Sequence, residues 1–343
     1  MKLIVQIPCL NEAETLPATL AEIPRHIEGI DAVEILVIDD GSVDGTAEVA
    51  HRYGVDHVVR SSKSRGLAAS FKTGIDTALA LGADVIVNTD ADNQYPGADI
   101  PRLVAPILRR EADIVIGDRQ VSDVAHFSTS KKRLQSLGSW VVRQVSGTKV
   151  PDTTSGFRAF SRNAAQRLNL VSDYTYTLET IIQAGKKRLS IAQVSIEPRT
   201  TRPSRLIRNN WDYVKRSAAT IVRIYAMYEP LKIFSYIGAV FLSVGAVPAL
   251  RYLYFWWIGE GQGHVQSVIA AGWFLTIGFM ILLIGLVADI MASVRRLLEE
   301  VLYRQRLLED RLDELEAGGP DEVEDRPDEM ESAGSRAREG SKR

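Results

Sequence analysis

The stretch Glu34-Ile35-Leu36-Val37-Ile38-Asp39-Asp40-Gly41-Ser42-Val43-Asp44-Gly45-Thr46 changes character halfway along. Its first half is an unbroken apolar run, the pattern of a strand buried on both faces of a parallel sheet. Its second half gathers acids, glycines and hydroxyls. In an open α/β sheet that junction, the carboxyl end of a strand, is where ligands bind. The same switch occurs twice more. Residues 3–7 run into Pro8-Cys9-Leu10-Asn11-Glu12, and residues 84–89 run into Asp90-Ala91-Asp92-Asn93-Gln94. Any one cluster alone is the ordinary chemistry of a turn; three at equivalent strand ends mark a site. Helical patterns at 12–26, 44–53 and 67–81 alternate with these strands, and further strands fit 113–117 and 191–196. The expectation is an α/β domain with a mainly parallel, Rossmann-like sheet.

Composition sets the outer limits. The chain has 343 residues, 45% hydrophobic and 24% charged, which excludes a disordered or collagen-like polymer. Its formal charge of −2 conceals a basic body and a strongly acidic end beyond Glu309. The single cysteine, Cys9, excludes an intramolecular disulfide and a cysteine-based zinc site. No signal peptide is expected, because residues 1–7 lack the apolar run that precedes a cleavage site.

Two uncharged runs, 233–250 and 267–288, are each about the ~20 residues that cross a bilayer. The link 260–266 between them has no Lys or Arg. Lys215, Arg216, Arg223 and Lys232 precede the first run, and Arg295, Arg296, Arg304 and Arg306 follow the second. The positive-inside rule then puts both termini in the cytoplasm and the link outside, giving a two-span protein of the cell membrane. Arg251 near the outer end can snorkel among Tyr252, Tyr254, Trp256 and Trp257. Before the spans, Ile207, Trp211, Val214, Ala218, Ile221, Tyr225 and Tyr228 recur at helical spacing with basic residues on other faces, the pattern of an interfacial helix. The expected organisation is a catalytic domain over 1–203, amphipathic helices over 204–231 and a transmembrane hairpin over 232–290, with spans at about 233–257 and 267–289. A charged helix with a leucine stripe, suited to a short coiled coil, follows over 291–317, and 318–343 is an acidic tail expected to be disordered.

Asp90-Ala91-Asp92 has a specific chemical use. Carboxylates one residue apart at a strand end can converge on a hard divalent cation, which keeps waters and bridges substrate phosphates. Gln94 adds a neutral oxygen. A metal held there offsets the charge growing on a departing diphosphate.

Together these motifs resemble family 2 glycosyltransferases of the GT-A fold. Ser64-Arg65-Gly66-Leu67, Asp90-Ala91-Asp92-Asn93-Gln94-Tyr95-Pro96 and Thr153-Thr154-Ser155-Gly156-Phe157-Arg158 continue the pattern in order. They narrow the resemblance to polyprenyl-phosphate glycosyltransferases, the group of dolichyl-phosphate mannose synthases and bacterial undecaprenyl-phosphate glucosyltransferases. It covers roughly residues 1–205, and the two spans match the membrane-anchored members. The resemblance implies a nucleotide-sugar pocket at Pro8, Asn11, Glu12, Asp39, Asp40, Ser42, Arg65, Gly66, Asp90, Ala91, Asp92 and Gln94. Asp90, Asp92 and Gln94 would hold Mg²⁺ or Mn²⁺. Arg119 and Arg133, with Ser155 and the basic loop of Arg202 and Arg205, would receive the acceptor phosphate; Asp118 stands where the family often has serine. Asp92, Arg119 and Arg133 are the catalytic candidates.

The implied partners are a GDP-mannose or UDP-glucose type donor, a dolichyl or undecaprenyl monophosphate and the membrane. Homo-oligomers through the transmembrane and C-terminal helices also fit; nucleic acid is not expected. Guanidinium groups suit both phosphates, since they bind bidentately and stay charged. An ionised lipid phosphate needs no strong base to attack an anomeric carbon in one inverting step, so Glu179, on an expected helix, is read as structural or positioning. A processive synthase is disfavoured by the absence of a Gln-x-x-Arg-Trp segment and by having only two spans. A non-catalytic scaffold is disfavoured by the intact Asp90 and Asp92, and transfer onto glycan or protein by the arginine pair.

Overall fold

The computed structural model describes residues 1–119, 142–143, 146–148, 150–170, 176–199, 215, 218–219, 222–223 and 226–317. Seven strands form one sheet: β1 Lys2–Cys9, β2 Ala32–Asp39, β3 His57–Arg60, β4 Val85–Asn88, β5 Ile114–Asp118, β6 Arg158–Ser161 and β7 Ile191–Ser195. Their order is β3-β2-β1-β4-β6-β5-β7. β6 runs antiparallel to both its neighbours; every other pairing is parallel. This is the mainly parallel α/β sheet expected from the apolar runs.

Alternation along the strands divides the core between two faces. Leu3, Val5, Ile7, Ile35 and Val37 pack against α1 (Leu16–Glu22) and α4 (Ile100–Leu108). Ile4, Leu36, Ile38 and Ile86 pack on the other side with α3 (Leu67–Ala80), α5 (Arg162–Arg167) and α6 (Tyr176–Lys186). A short α2 (Thr46–Arg52) follows β2.

Differences from the expected elements have local causes. α1 spans Leu16–Glu22 rather than 12–26, because the preceding residues bond to the β2 loop and Pro24 cannot continue a helix. β3 and β6 were not anticipated. β3 is a four-residue edge strand with no fully buried position, and β6 is a four-residue strand that begins with an arginine.

Two helices are long and apolar enough to cross a membrane, α7 (Pro230–Trp257) and the start of α8 (Val265–Ala317). They meet through glycine. A Cβ on Gly238 would stand 2.9 Å from the Leu282 side chain, and one on Gly278 would stand 2.9 Å from that of Leu242. Their outer surfaces remain apolar, with Val240, Val247, Leu250, Trp256 and Trp257 exposed. α8 does not break near residue 291 to start a separate charged helix; it continues to Ala317. The chain divides into compact units at Met1–Val294 and Arg295–Arg343. Most of the interfacial segment 204–231 and all of 318–343 lie outside the described residues.

Gly74 fixes how closely α3 lies on the sheet. A Cβ there would stand 2.3 Å from Gln6 Oε1 and 2.8 Å from Ile38 Cδ1, both immobilised in the core. Gly74→Val should therefore lower stability by about 2–3 kcal/mol through overpacking. Thermal unfolding of the full chain checks this; an unchanged midpoint would contradict the close approach.

Candidate functional site

The antiparallel β6 builds the site. Because it runs against β4 and β5, its start reaches the sheet edge at which β1, β2, β4 and β5 end. Asn88 pairs with Arg158 across β4–β6, and Ile116 pairs with the same residue across β5–β6. Two residues further out, Asp90 lies against Gly156. The approach is tight: a Cβ on Gly156 would stand 3.0 Å from both oxygens of Asp90 and 2.9 Å from the Tyr176 hydroxyl.

A buried polar chain secures that junction. Gln6 Nε2 donates to Asn88 Oδ1 at 2.9 Å, and Asn88 Nδ2 donates to the Gly156 carbonyl at 2.8 Å and to the Tyr176 hydroxyl at 3.0 Å. Tyr176 stacks on Phe71 at 3.9 Å between centroids. From the opposite side the Gly156 amide donates to the Tyr95 hydroxyl, and Tyr95 stacks on Phe157. Burial raises the Tyr95 hydroxyl to about 12, so it remains protonated.

The β1 and β2 loops interlock beside it. Pro8 lies in β1 opposite Ile38. Asn11 takes a positive φ of 57° and donates its amide to Ser42 Oγ, while its Oδ1 accepts from the Val43 amide. The Glu12 amide bonds Thr46 Oγ1, and its carboxylate accepts from Thr15. Asp39 and Asp40 differ in use. Asp39 is fully buried, accepts from the Ser42 amide at 2.8 Å and faces Arg60 at 3.3 Å. Asp40 accepts from Ser64 Oγ and from the amides of Arg65 and Gly66, at 2.7–2.9 Å. It holds the 64–66 loop in place, and that loop touches Gly41, where any Cβ would meet the Lys63–Ser64 backbone at 2.9 Å.

Two arginines occupy the far side. Arg119, at the end of β5, donates through Nε and Nη2 to Asp152 at 2.7 and 3.0 Å and through Nη2 to Thr154 Oγ1 at 2.7 Å. Burial opposes its charge, but Tyr95, Asp152 and Asp90 more than offset that and raise its affinity for the proton. Asp152 also accepts from the Thr154 and Ser155 amides. Ser155 is fully buried and its Oγ has no hydrogen-bond partner. Arg158 is also fully buried, donating to the carbonyls of Thr153, Ser155 and Thr177 and to Thr180 Oγ1. Burial without a carboxylate contact lowers its pKa to about 10. Glu179 lies on α6, buried, and accepts from Gln183 at 3.0 Å.

Beside Asp92, whose Oδ1 accepts from the Gln94 amide, a surface latch joins distant segments. Arg199 Nη1 donates to Glu22 at 2.5 Å and to Asn93 Oδ1 at 3.0 Å, and its amide donates to the Gln94 carbonyl.

The structure thus brings Asn11, Glu12, Asp39, Asp40, Ser42, Arg65, Gly66, Asp90, Ala91, Asp92, Gln94, Arg119 and Ser155 to one edge. Arg133, Arg202 and Arg205 lie outside the described residues. Sequence reading missed Asn88, Tyr95, Asp152, Arg158, Tyr176 and Arg199. Asn88 carried a usable signal, a lone amide ending an otherwise apolar strand two residues before Asp90.

The family model described as Glycosyl transferase family 2 matches residues 4–168. The chain is similar to the undecaprenyl-phosphate mannosyltransferase of Micrococcus luteus, 32% identical over 176 residues, covering 50% of this chain and 70% of that protein. It is also similar to the UDP-N-acetylglucosamine–dolichyl-phosphate N-acetylglucosaminyltransferase of Methanococcus voltae, 27% identical over 213 residues, covering 56% and 83%. Among solved structures, glucosyl-3-phosphoglycerate synthase from Mycobacterium tuberculosis, crystallised with Mn²⁺, UDP and phosphoglyceric acid, shares the fold. Its TM-score is 0.52 at 21% identity, covering 66% of this chain and 77% of that one.

Burial first, then the charge of Asp92, push the Asp90 carboxyl up to about 7, with Arg119 pulling the other way. An unfolded aspartate titrates near ~3.9. The fold therefore holds this proton more tightly, and the stability so gained is complete below about pH 4, falls progressively and is gone once the pH passes about 7. Asp90→Asn should match the parent near pH 4 and exceed it by up to about 4 kcal/mol at pH 8 without divalent cations. Unfolding midpoints across that range test this; a pH-independent difference would rule it out.

Proposed function

Because this chain belongs to glycosyl transferase family 2, we propose that it moves a sugar from a nucleotide-sugar donor to a polyprenyl monophosphate at the membrane surface. The observation that carries this reading is one sheet edge where Asp90 and Asp92 share an electrostatic neighbourhood with Arg119, in a chain that also holds two membrane-length helices. The relatives' names support the acceptor class, and their two different sugars keep the donor at the level of GDP-mannose or a UDP-hexose type.

An oxygen of the acceptor phosphate attacks the anomeric carbon while the bond to the diphosphate breaks. The electron pair leaves with the nucleoside diphosphate, and the anomeric configuration inverts. A phosphate monoester is largely ionised near neutral pH, so the step asks for no strong base. Glu179, engaged with Gln183, fits a positioning role.

Asp90, Asp92 and Gln94 would hold a divalent cation, Mg²⁺ or Mn²⁺, which when bound offsets the charge of the diphosphate. Asp90 carries the fit. Among the described residues no hydrogen bond reaches its carboxylate, and burial and Asp92 both oppose its ionisation, so a cation is the partner that would let both acids ionise. A cation held by two carboxylates and one amide oxygen would leave positions open for water and substrate oxygens. Asp152 fixes the plane of the Arg119 guanidinium through Nε and Nη2, and among the described residues Nη1 is the nitrogen that would meet the acceptor phosphate. Arg133, Arg202 and Arg205 complete the anion site in this reading. Asp39 and Asp40 act on the nucleotide indirectly, by shaping the 40–46 and 64–66 loops.

Purified full-length chain in lipid discs, given radiolabelled GDP-mannose, UDP-glucose and UDP-N-acetylglucosamine, should form a labelled lipid only when polyprenyl phosphate and a divalent cation are both present. Asp92→Ala should abolish that product while the chain still inserts. Product formation on a glycan without lipid phosphate would overturn the acceptor. Arg119→Lys keeps a cation beside Asp152 but removes the bidentate fork, so the Michaelis constant for polyprenyl phosphate should rise about tenfold with donor affinity unchanged. A tenfold loss of donor affinity alone would move Arg119 to the donor site.

Both termini are cytoplasmic in this reading, since Lys and Arg flank the hairpin and are absent from the link 260–266. A thiol reagent that does not cross membranes should label Gln262→Cys in intact cells. Protection of that cysteine, with labelling of one in the tail, would reverse the orientation.

A further inference from the structure

The last part of α8 presents an apolar seam. Leu298, Val301, Leu308 and Leu312 are each 57–60% exposed. The steps from Leu298 through Val301, Gln305 and Leu308 to Leu312 are three, four, three and four residues, a period of 3.5 rather than the 3.6 of a helix packed on a globule. In heptad register Leu298, Gln305 and Leu312 take the a positions, and Val301 and Leu308 take d.

The flanking positions say what covers the seam. The residue before each a is Leu297, Arg304 or Arg311, and the residue after each d is Leu302, Glu309 or, after position 315, Glu316. In a parallel two-stranded coil each g residue meets the e residue five positions later on the partner. A second copy of this chain supplies the matches: Leu297 against Leu302, Arg304 against Glu309 and Arg311 against Glu316. An antiparallel pairing would set arginine against arginine and glutamate against glutamate. Gln305 is the one polar group on the seam, and in register it meets its own counterpart, as polar a residues do when they fix register at some cost in stability. In the single chain its amide donates to Glu309, and Arg304 pairs with Glu300, both along the exposed helix and both at 3.0 Å.

We propose that residues 297–316 are a self-recognition helix that joins two copies of this chain as a parallel coiled coil. Three heptads are marginal in free solution. Two chains anchored in one bilayer share an orientation and a high local concentration, which favours the parallel form. That last point rests on the membrane reading under Proposed function; the charge register does not.

The test uses the full-length chain in membranes, with Leu308→Cys on the seam and Leu307→Cys beside it under mild oxidation. The Leu308→Cys chain should give disulfide-linked dimers, and the Leu307→Cys chain about tenfold fewer. Arg304→Glu with Arg311→Glu in the Leu308→Cys background should cut the dimer about tenfold. Adding Glu309→Arg and Glu316→Arg should restore it. Equal cross-linking at 307 and 308, or no response to charge reversal, would overturn the proposal. Alkaline extraction of the same membranes reads the anchor separately. A chain retained in the membrane without seam-specific cross-links refutes the coil alone, whereas a released chain that still cross-links upholds the coil and refutes the anchor.

Discussion

The contact between the backbone of Gly156 and the carboxylate of Asp90 is the constraint on which the rest of the site depends. With both oxygens 3.0 Å from where a Cβ would stand, no side chain fits at position 156. That closeness requires the start of β6 to lie beside the end of β4, which an antiparallel strand between two parallel ones achieves. The same wedge brings Asp152 and Thr154 within reach of the Arg119 guanidinium. A parallel strand in this place would bring its far end, Ala159 to Ser161, to the edge and bury the Thr153–Gly156 segment at the opposite side.

Crowding acids at one edge has an electrostatic cost, and the buried polar groups behind it distribute that cost. Arg119 faces Asp152 and contributes attraction at Asp90. Arg158 lies deeper, with three carbonyls and one hydroxyl around it and, among the described residues, no carboxylate in contact. A cation held this way exerts its field on several acids without neutralising any of them by contact. The chain from Gln6 Nε2 through Asn88 to Gly156 and Tyr176 gives the loop a defined position, since each of its hydrogen bonds constrains the next.

Much of this was legible in the sequence. The apolar runs at 3–7 and 34–39 and the polar clusters after them located β1, β2 and the edge where the site forms, because a doubly buried strand and a ligand-binding loop have opposite compositions. The long apolar segments gave α7 and the first part of α8 for the same reason. β6 was not legible as a strand: four residues starting with Arg158 do not read as buried, since only the tertiary structure supplies the carbonyls that accept from that guanidinium. The ends of α1 were misjudged because Asn11, Glu12 and Ala13 exchange hydrogen bonds with residues 42–46, contacts thirty residues away that no local pattern encodes. The motif around Arg119 points to an anion receptor but gives no sign that Asp152, one residue before the Thr153–Arg158 motif, engages two of its nitrogens.

The Arg199 latch gives the two ends of the catalytic region a common mechanical fate. Its side chain clasps Glu22 and Asn93 and its amide holds the Gln94 carbonyl, so a shift of the loop carrying Asp92 pulls on Arg199. Coupling of that kind is reciprocal: whatever free energy one segment gains by settling is felt as affinity at the other. A disturbance at any one of Glu22, Asn93, Gln94 or Arg199 is therefore passed to the other three, although they come from three separate stretches of the chain.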